Sequence, residues 1–291
     1  MSTYVGLNLT LEHDIAGSAS WSRFDKGTGS LTARDEAAYT QSAGIGGQAT
    51  GYRGLYIPGG TATTEVQTIA LLNCLKPAAV GALPTVIKYI QGGPVNATTE
   101  GKKQSNCYLT SAKLACEVGG VLTADYEWLA LDEEKVTIAS AATAQTNSVV
   151  VWHTGSVLLG GAGYKCTGWE ATASTGVVAK TSLDLKTAGS QRLPEWADPG
   201  IFEVSLTARF RAPLGIDLSG DTVSTVAFKF TGTDAETTPK TFTLDLTGGS
   251  GLHLTSAPLE LGGAADEVVW SITAVGELND LDLWACTFAA S

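Results

Sequence analysis

The sequence predicts a mainly β protein: a β-sandwich or barrel subunit with one flanking α-helix. Its composition favours strands, because the 291 residues include 34 Gly and a single Met, and only 16% are charged, against about 25% in an average domain. Apolar and polar residues alternate in many short segments that are separated by glycine turns, as in sheets. One segment has the spacing of an amphipathic helix.

The first 62 residues are predicted to form one strand and an extended arm. Residues 4–11 place aliphatic side chains at alternate positions, which indicates a strand. Residues 12–62 are rich in Gly, Ser, Thr and Ala, with turn signals at GTGS, GIGG and IPGG. A loop of this length usually has a function or becomes ordered on a partner. We therefore divide the chain into an arm, 1–62, and a β-sandwich domain, 63–291.

The helix is predicted over residues 65–76. Thr64 is placed to be its N-cap and Gln67 to complete a capping box. Pro77 would end it. The apolar positions at helical spacing, which would pack the helix on the flank of the sheet, are Val66, Ile69, Leu72 and Leu75.

Residues 106–131 are predicted to form a β-hairpin around Gly119-Gly120. In its second strand the apolar face consists of Leu122, Ala124, Tyr126 and Trp128, and the polar face of Thr123, Asp125 and Glu127. The following stretch, 132–147, is predicted to be a loop or a short strand.

Residues 201–211 show the clearest alternation of the chain. Their apolar face is Phe202, Val204, Leu206, Ala208 and Phe210, and Glu203 begins the polar face. Further strands are predicted at 149–153, 156–160, 164–173, 175–185, 223–231, 241–247, 268–275 and 281–289. Strands this frequent, joined by glycine turns, favour a sandwich or a barrel.

No pattern of residues indicates catalysis. The three His lie outside any metalloprotease motif, and no nucleophile elbow or phosphate-binding loop occurs. The five Cys are odd in number and lack zinc spacing, as expected of reduced core thiols. We therefore predict a protein that is not an enzyme, with no cofactor and no metal site. The seven Trp leave an alternative open, a carbohydrate-binding β-sandwich that recognises a surface or a host.

The charge balance also limits the partners. With 18 basic and 29 acidic residues the net charge is −11, which argues against tight binding of nucleic acid but allows DNA to pass. No signal peptide and no membrane-spanning segment are evident in the sequence. We therefore expect assembly in a host cytoplasm, without a membrane partner.

The order of these parts resembles a known family. A long N-terminal stretch and a capped helix precede the hairpin YLTSAKLACEVGGVLTADYEW. An acidic loop follows, and after it the segment VVVWHTGSVLLGGAGYKCTGWEATASTGVVAK. The last parts are the strand FEVSLTARFRAPL and acidic strands that end in WACTFAAS. Over about residues 55–291 this layout resembles the tail tube (major tail) proteins of long-tailed bacteriophages.

The resemblance implies a structural virion protein with a β-sandwich fold. Six subunits would form a ring, and strands from each would join into one closed β-barrel. Rings would stack as the tail tube, with loops and arms bridging them. The partners implied are further copies of the chain, the tape-measure protein, other tail proteins and double-stranded DNA that crosses the lumen during genome ejection.

Three acidic residues are candidates for lining that lumen: Asp125, Glu127 and Glu203. Each alternates with apolar neighbours that would pack into the sandwich. A lumen that DNA must cross should not bind phosphate. Alternation identifies a hydrated face without saying which water it touches, so the lumen and the outer solvent both remain open.

Overall fold

The computed structural model describes residues 9–19, 21–24, 28–41, 49–98, 100–139, 142, 148–181, 193–211, 225–234, 239–256, 259–261 and 268–290. This part of the chain is mainly β, as predicted. It contains one α-helix, α1 (Ala70–Leu75), and two 3₁₀ turns, Trp152–Thr154 and Leu281–Leu283. None of its helices has the length and hydropathy to cross a bilayer.

The strands of this part are short to medium in length, apart from four long ones. They are β1 (Leu9–Asp14), β2 (Ser22–Arg23), β3 (Thr28–Gln41), β4 (Ala49–Glu65), β5 (Ile87–Pro94), β6 (Gly101–Glu117), β7 (Thr123–Val136), β8 (Ser156–Leu159), β9 (Ala162–Gly163), β10 (Cys166–Ser174), β11 (Val178–Lys180), β12 (Trp196–Asp198), β13 (Glu203–Phe210), β14 (Thr225–Val226), β15 (Phe228–Thr233), β16 (Lys240–Leu246), β17 (Leu252–Ser256), β18 (Leu259–Leu261), β19 (Val268–Gly276) and β20 (Ala285–Ala290).

Most strands belong to one large antiparallel sheet. Its main path is β14-β17-β19-β13-β10-β6-β5-β1-β2. β7 pairs with β6 and with β4, β4 pairs with β3, and β18 pairs with β19. A second sheet has the order β20-β16-β15-β8-β9, and β11 and β12 form a small ribbon. Within the described residues the large sheet does not close into a barrel.

The two main sheets pack face to face, which makes the subunit a β-sandwich. Trp169 on β10 contacts the second sheet, with ring centroids 5.7 Å from Phe228 and 4.8 Å from Phe230. β13 follows its predicted pattern, because its alternate apolar residues are buried and Glu203 is exposed. The amphipathic strand predicted at 201–211 is therefore confirmed.

The predicted hairpin at 106–131 is also confirmed. β6 and β7 pair antiparallel, and the turn between them needs a left-handed residue, which Gly119 supplies with φ +86°. The four predicted apolar residues of its second strand are buried. β7 runs on to Val136, so of the two alternatives predicted for 132–147, a loop or a short strand, residues 132–136 are strand and continue the ladder with β6.

The predicted helix is wrong in its start and its cap. Thr64 and Glu65 belong to β4, and the N-cap is Ile69, which makes no side-chain capping bond. The Val66 amide donates instead to the Leu122 carbonyl at 3.0 Å. Long-range pairing with the hairpin therefore holds this segment extended and overrides the local capping signal.

The four residues predicted to pack this helix have mixed outcomes. Leu72 and Leu75 lie in α1 and are fully buried, as expected for a helix on the flank of the sheet. Val66 is buried but precedes the helix, and Ile69 is half-buried at its start. Leu71 and Cys74 complete the buried side of α1, so the helix covers the core with four residues, of which two were predicted.

The prediction of a loop over residues 12–62 is wrong for most of the part that the structure describes. β3 and β4 form a long hairpin, and residues 59–65 of β4 also pair with β7. The outer part of the hairpin, where β4 residues 49–58 face β3, has no third strand. We call this outer part the ribbon. β4 crosses the predicted boundary at 62–63, and the division into two domains stays a prediction.

The first strand, β1, buries polar residues that the predicted alternation would place on its hydrated face. Leu11 packs against the core as predicted, but Thr10 and Glu12 are buried too. The Glu12 carboxylate accepts hydrogen bonds from Thr10 Oγ1 at 2.7 Å and Gln91 Nε2 at 2.8 Å. Hydrogen bonds to the carboxylate make its burial tolerable. The predicted residues 4–8 lie outside the described part.

The remaining differences concern short elements. The strand predicted at 149–153 forms only isolated bridges before a 3₁₀ turn, and the one at 281–289 begins with a 3₁₀ turn. β5, β12, β17 and β18 were not predicted. Three of these strands have five residues or fewer, too short for alternation to reveal.

Candidate functional site

One face of the large sheet is polar over six neighbouring strands. β4, β7, β6, β10, β13 and β19 lie side by side, and their alternate residues point away from the core. Most of the outward side chains are hydroxyls or charged groups. We call this surface the polar face, and its hydroxyl and charged members are Thr61, Thr63, Ser111, Lys113, Glu117, Thr123, Asp125, Glu127, Glu170, Thr172, Ser174, Glu203, Ser205, Thr207, Arg209, Ser271 and Thr273.

Asp125 lies in the middle of this face, in register with Thr63 and Lys113. Thr63 Oγ1 donates to Asp125 Oδ1 at 2.6 Å. Lys113 Nζ lies 3.3 Å from Asp125 Oδ2 and 3.5 Å from Glu170 Oε2. The hydrogen bond to Asp125 raises the pKa of Lys113 and outweighs burial. This cation is thus shared by two carboxylates, which leaves it less available to a phosphate.

Glu127 and Glu203 belong to the next row of the ladder. Glu127 is in register with Ser111, Ser111 with Ser174, and Ser174 with Glu203. Both carboxylates are exposed, and Ser111 Oγ donates to Glu127 at 3.5 Å. The structure therefore brings all three predicted lumen residues onto one face. Their place at a lumen stays a prediction.

The polar face is acidic overall. Its two basic residues are both paired, Lys113 as above and Arg209 with Glu117 in the same row. Its carboxylates are Glu117, Asp125, Glu127, Glu170 and Glu203. A surface with this excess of carboxylates repels phosphate instead of exchanging counterions with it.

Several members of the face were missed from sequence. Thr61 fell within the predicted arm and Thr63 directly after it, although the alternation in GGTATTE was a signal for a strand. Lys113 and Glu170 lie on strands that were predicted, at 106–131 and 164–173. Their meeting depends on β6 and β10 being neighbours, which no local pattern contains.

Among the described residues the thiols do not form a reactive site. Burial raises the pKa of Cys74, Cys116 and Cys166 to about 11 and that of Cys286 to about 12, and it raises the pKa of Cys107 as well. Such thiols stay protonated at neutral pH and are poor nucleophiles. No group of His, Cys, Asp and Glu in the described ranges could hold a metal ion.

The aromatic residues that the structure describes do not form one platform. Trp128, Trp169 and Trp284 are buried. Trp152 and Trp196 are each 42% exposed, but Trp152 lies beside the β6–β7 turn and Trp196 lies on β12, whose partner β11 follows the far end of β10. A sugar platform needs neighbouring exposed rings, so this arrangement gives the carbohydrate-binding alternative little support.

Comparison with known proteins gives one match. A family model described as phage tail tube protein matches residues 10–274, which covers nearly the whole chain. No curated protein matches the chain.

Proposed function

Because the chain belongs to the phage tail tube protein family, we propose that six copies form a ring and that stacked rings make the channel for genome delivery. The family makes the chain a structural protein of the phage tail. One observation supports the proposed ring and its channel: a six-stranded region of the sheet presents one continuous face that is acidic and rich in hydroxyl groups. A channel for DNA needs such a wall.

Ring formation follows from the edges of the large sheet. In the described residues the sheet ends in β2 and β3 on one side and in β14 and β18 on the other. Open strand edges attract further strands. Sheets from neighbouring subunits that meet edge to edge can close into one barrel if their strands tilt. The polar face, with Asp125, Glu127 and Glu203, then lines the lumen.

The charge of such a ring suits its contents. At −11 for each chain, six chains carry about −66, and a wall of this sign does not hold phosphate. Double-stranded DNA and the tape-measure protein occupy the lumen in turn. The ribbon, for which the described residues provide no third strand, bridges to the next ring.

Negative-stain electron microscopy of the purified full chain tests the proposal. We expect rings or tubes at high protein concentration, with six-fold symmetry in end views. Light scattering that shows only monomers at every salt and protein concentration would refute the assembly. Rings with another symmetry would refute the six-membered ring alone.

A further inference from the structure

Six of the seven large apolar residues that are exposed in the described part of the chain lie at the two ends of β10 and β13, and the seventh, Val80, follows α1. Val118 and Trp152 lie at the β6–β7 turn, where the Trp152 amide donates to the Gly120 carbonyl. We call them, with the cleft that they line, the turn end. The cleft has a volume of about 500 Å³ and also contains Tyr164, His153 and Lys165.

The second group lies at the other end of β10 and β13, beside the middle of β6 and β7. It consists of Val178, Trp196, Ile201 and Leu278, all between 42% and 60% exposed. Ile201 packs beside Gly176, and Phe202 accepts a backbone hydrogen bond from Asn279, which joins the group into one surface. A groove of about 470 Å³ lies beside Val178. We call this surface the ribbon end.

The ladder fixes the two surfaces at opposite ends. The row nearest the turn end consists of Glu117, Gly168 and Arg209. The row nearest the ribbon end contains Ser174 and Glu203. Six residues of extended strand separate these rows, which is about 20 Å. The two surfaces therefore face in opposite directions along the strands.

Their charges are opposite. Near the turn end, three basic residues outnumber the acidic residue Glu117; they are Lys165, Arg209 and Arg211. The backbone amide of Arg211 donates a hydrogen bond to the Lys165 carbonyl. Among the described residues near the ribbon end, Lys180 is the one base beside a set of carboxylates. These carboxylates belong to Glu195, Asp198, Glu203 and Glu277.

We propose that the ribbon end of one copy docks on the turn end of the next copy, with Ile201 and Trp196 against Val118 and Trp152. Like ends would bring like charges together, whereas unlike ends are complementary in charge and both apolar at the centre. Contact between two different surfaces is heterologous and repeats without limit, as a tube requires. The inference rests on the proposed tube assembly and assigns its stacking surfaces.

Two end variants test the docking. One carries Val118→Ser and Trp152→Ser, the other Trp196→Ser and Ile201→Ser. These four side chains are exposed, so the fold should persist, as circular dichroism can show. By electron microscopy each variant should give single rings without tubes.

Mixing the two variants should give stacks of two rings and no longer ones, because one functional interface remains between them. Val80→Ser, an exposed change outside both surfaces, should form tubes like the original chain.

The outcomes separate this inference from the proposed function. If the original chain forms no rings or tubes, the assembly itself is wrong. If it forms tubes and both end variants do too, or if each variant alone loses its rings, only the assignment of these surfaces is wrong.

Oxidative labelling of original tubes gives a measurement without variants. Trp152 and Trp196 should both be protected relative to unassembled protein, and unchanged labelling of both would overturn the proposal.

Discussion

His13 is a buried base near the end of β1. It is 3% exposed and packs edge-on against Phe24, with ring centroids 5.0 Å apart. Burial lowers its pKa from 6.5 to about 4, although neighbouring Asp14 acts in the opposite direction. The folded subunit therefore holds a neutral imidazole at pH values where the unfolded chain holds a charged one.

This difference predicts a loss of stability in mild acid. Because the folded pKa is the lower one, the unfolded chain binds more protons between pH 6.5 and 4, and stability falls as pH decreases through this window. The loss from this group should reach about 2 kcal/mol at pH 5. Urea unfolding at pH 7 and pH 5 measures it. His13→Leu should reduce the pH dependence by this amount, and His153→Leu, at an exposed position, should not.

Equal pH dependence in the original chain and His13→Leu would show that His13 is accessible to protons in the folded state.

The lumen assignment is also decided by single residues. Asp125→Lys with Glu127→Lys should leave tubes intact, since both positions are on the hydrated side of β7. Phage particles assembled with this variant should deliver less DNA, and duplex DNA should be retained in the tail in a salt-dependent way. Delivery assays at two ionic strengths measure the effect.

The matched control is Asp132→Lys with Glu134→Lys. These residues have the same spacing on the same strand, make the same charge change and are exposed outside the polar face. Unchanged delivery by the Asp125 and Glu127 variant would place the polar face on the outside of the tube.

At the element scale, a buried polar network fixes the ribbon where it leaves the sheet. Gln104 Nε2 donates to the Gly59 carbonyl of β4 at 2.8 Å and to Glu133 at 3.0 Å, and its Oε1 accepts from Trp128 Nε1 at 2.8 Å. Tyr56 donates to Glu133 at 2.8 Å. Burial alone would raise the pKa of Glu133, but these hydrogen bonds and Lys102 hold it below its usual range.

Removing the central amide should therefore loosen the ribbon. Gln104→Leu leaves Trp128 Nε1 and one side of Glu133 without their buried partner, which costs about 1–3 kcal/mol of unfolding free energy. Urea unfolding should show this loss, and hydrogen exchange should rise along β3 and β4. Lys103→Met removes an exposed ion pair with Glu134 and should cost less than about 1 kcal/mol. A similar small cost for Gln104→Leu would mean that water replaces the amide.

The ribbon itself should be dispensable for folding. Replacing residues 36–54 with a short Gly-Ser turn removes strands that pair only with each other, while Glu12 and His13 keep the buried β1 in place. Circular dichroism should show a folded subunit, and electron microscopy should show rings without long tubes. Long tubes from the shortened chain would exclude the ribbon as a bridge between rings.

At the scale of the whole molecule, the excess of negative charge predicts that the assembled protein does not bind DNA. Each chain carries −11, and the basic residues of the polar face are paired with carboxylates. Assembled protein should therefore leave duplex DNA in the supernatant on sedimentation at about 0.15 M salt, since retention needs counterion release by free cations. Tubes of the Asp125 and Glu127 lysine variant provide the positive comparison. Retention of DNA by the original protein would contradict this prediction and would point to a basic surface such as the turn end.

The sequence by itself determined the local features of this protein. Alternation identified β13 and the hairpin of β6 and β7, because a strand shows its buried face in every second residue. For the same reason it placed Asp125, Glu127 and Glu203 on hydrated faces. The acidic charge and the strand-rich composition also needed only the sequence, and together with the layout they indicated the family.

The tertiary structure decided what depends on distant partners. The helix begins at Ala70 instead of residue 65 because Val66 pairs with Leu122, and Glu12 is buried because Gln91 satisfies it. β3 and β4 are strands although their composition suggests a loop, since ladder hydrogen bonds come from the backbone and not from side chains. The polar face exists as one surface only because β4, β7, β6, β10, β13 and β19 are neighbours. That adjacency joins residues far apart in the chain, and local patterns carry no information about it.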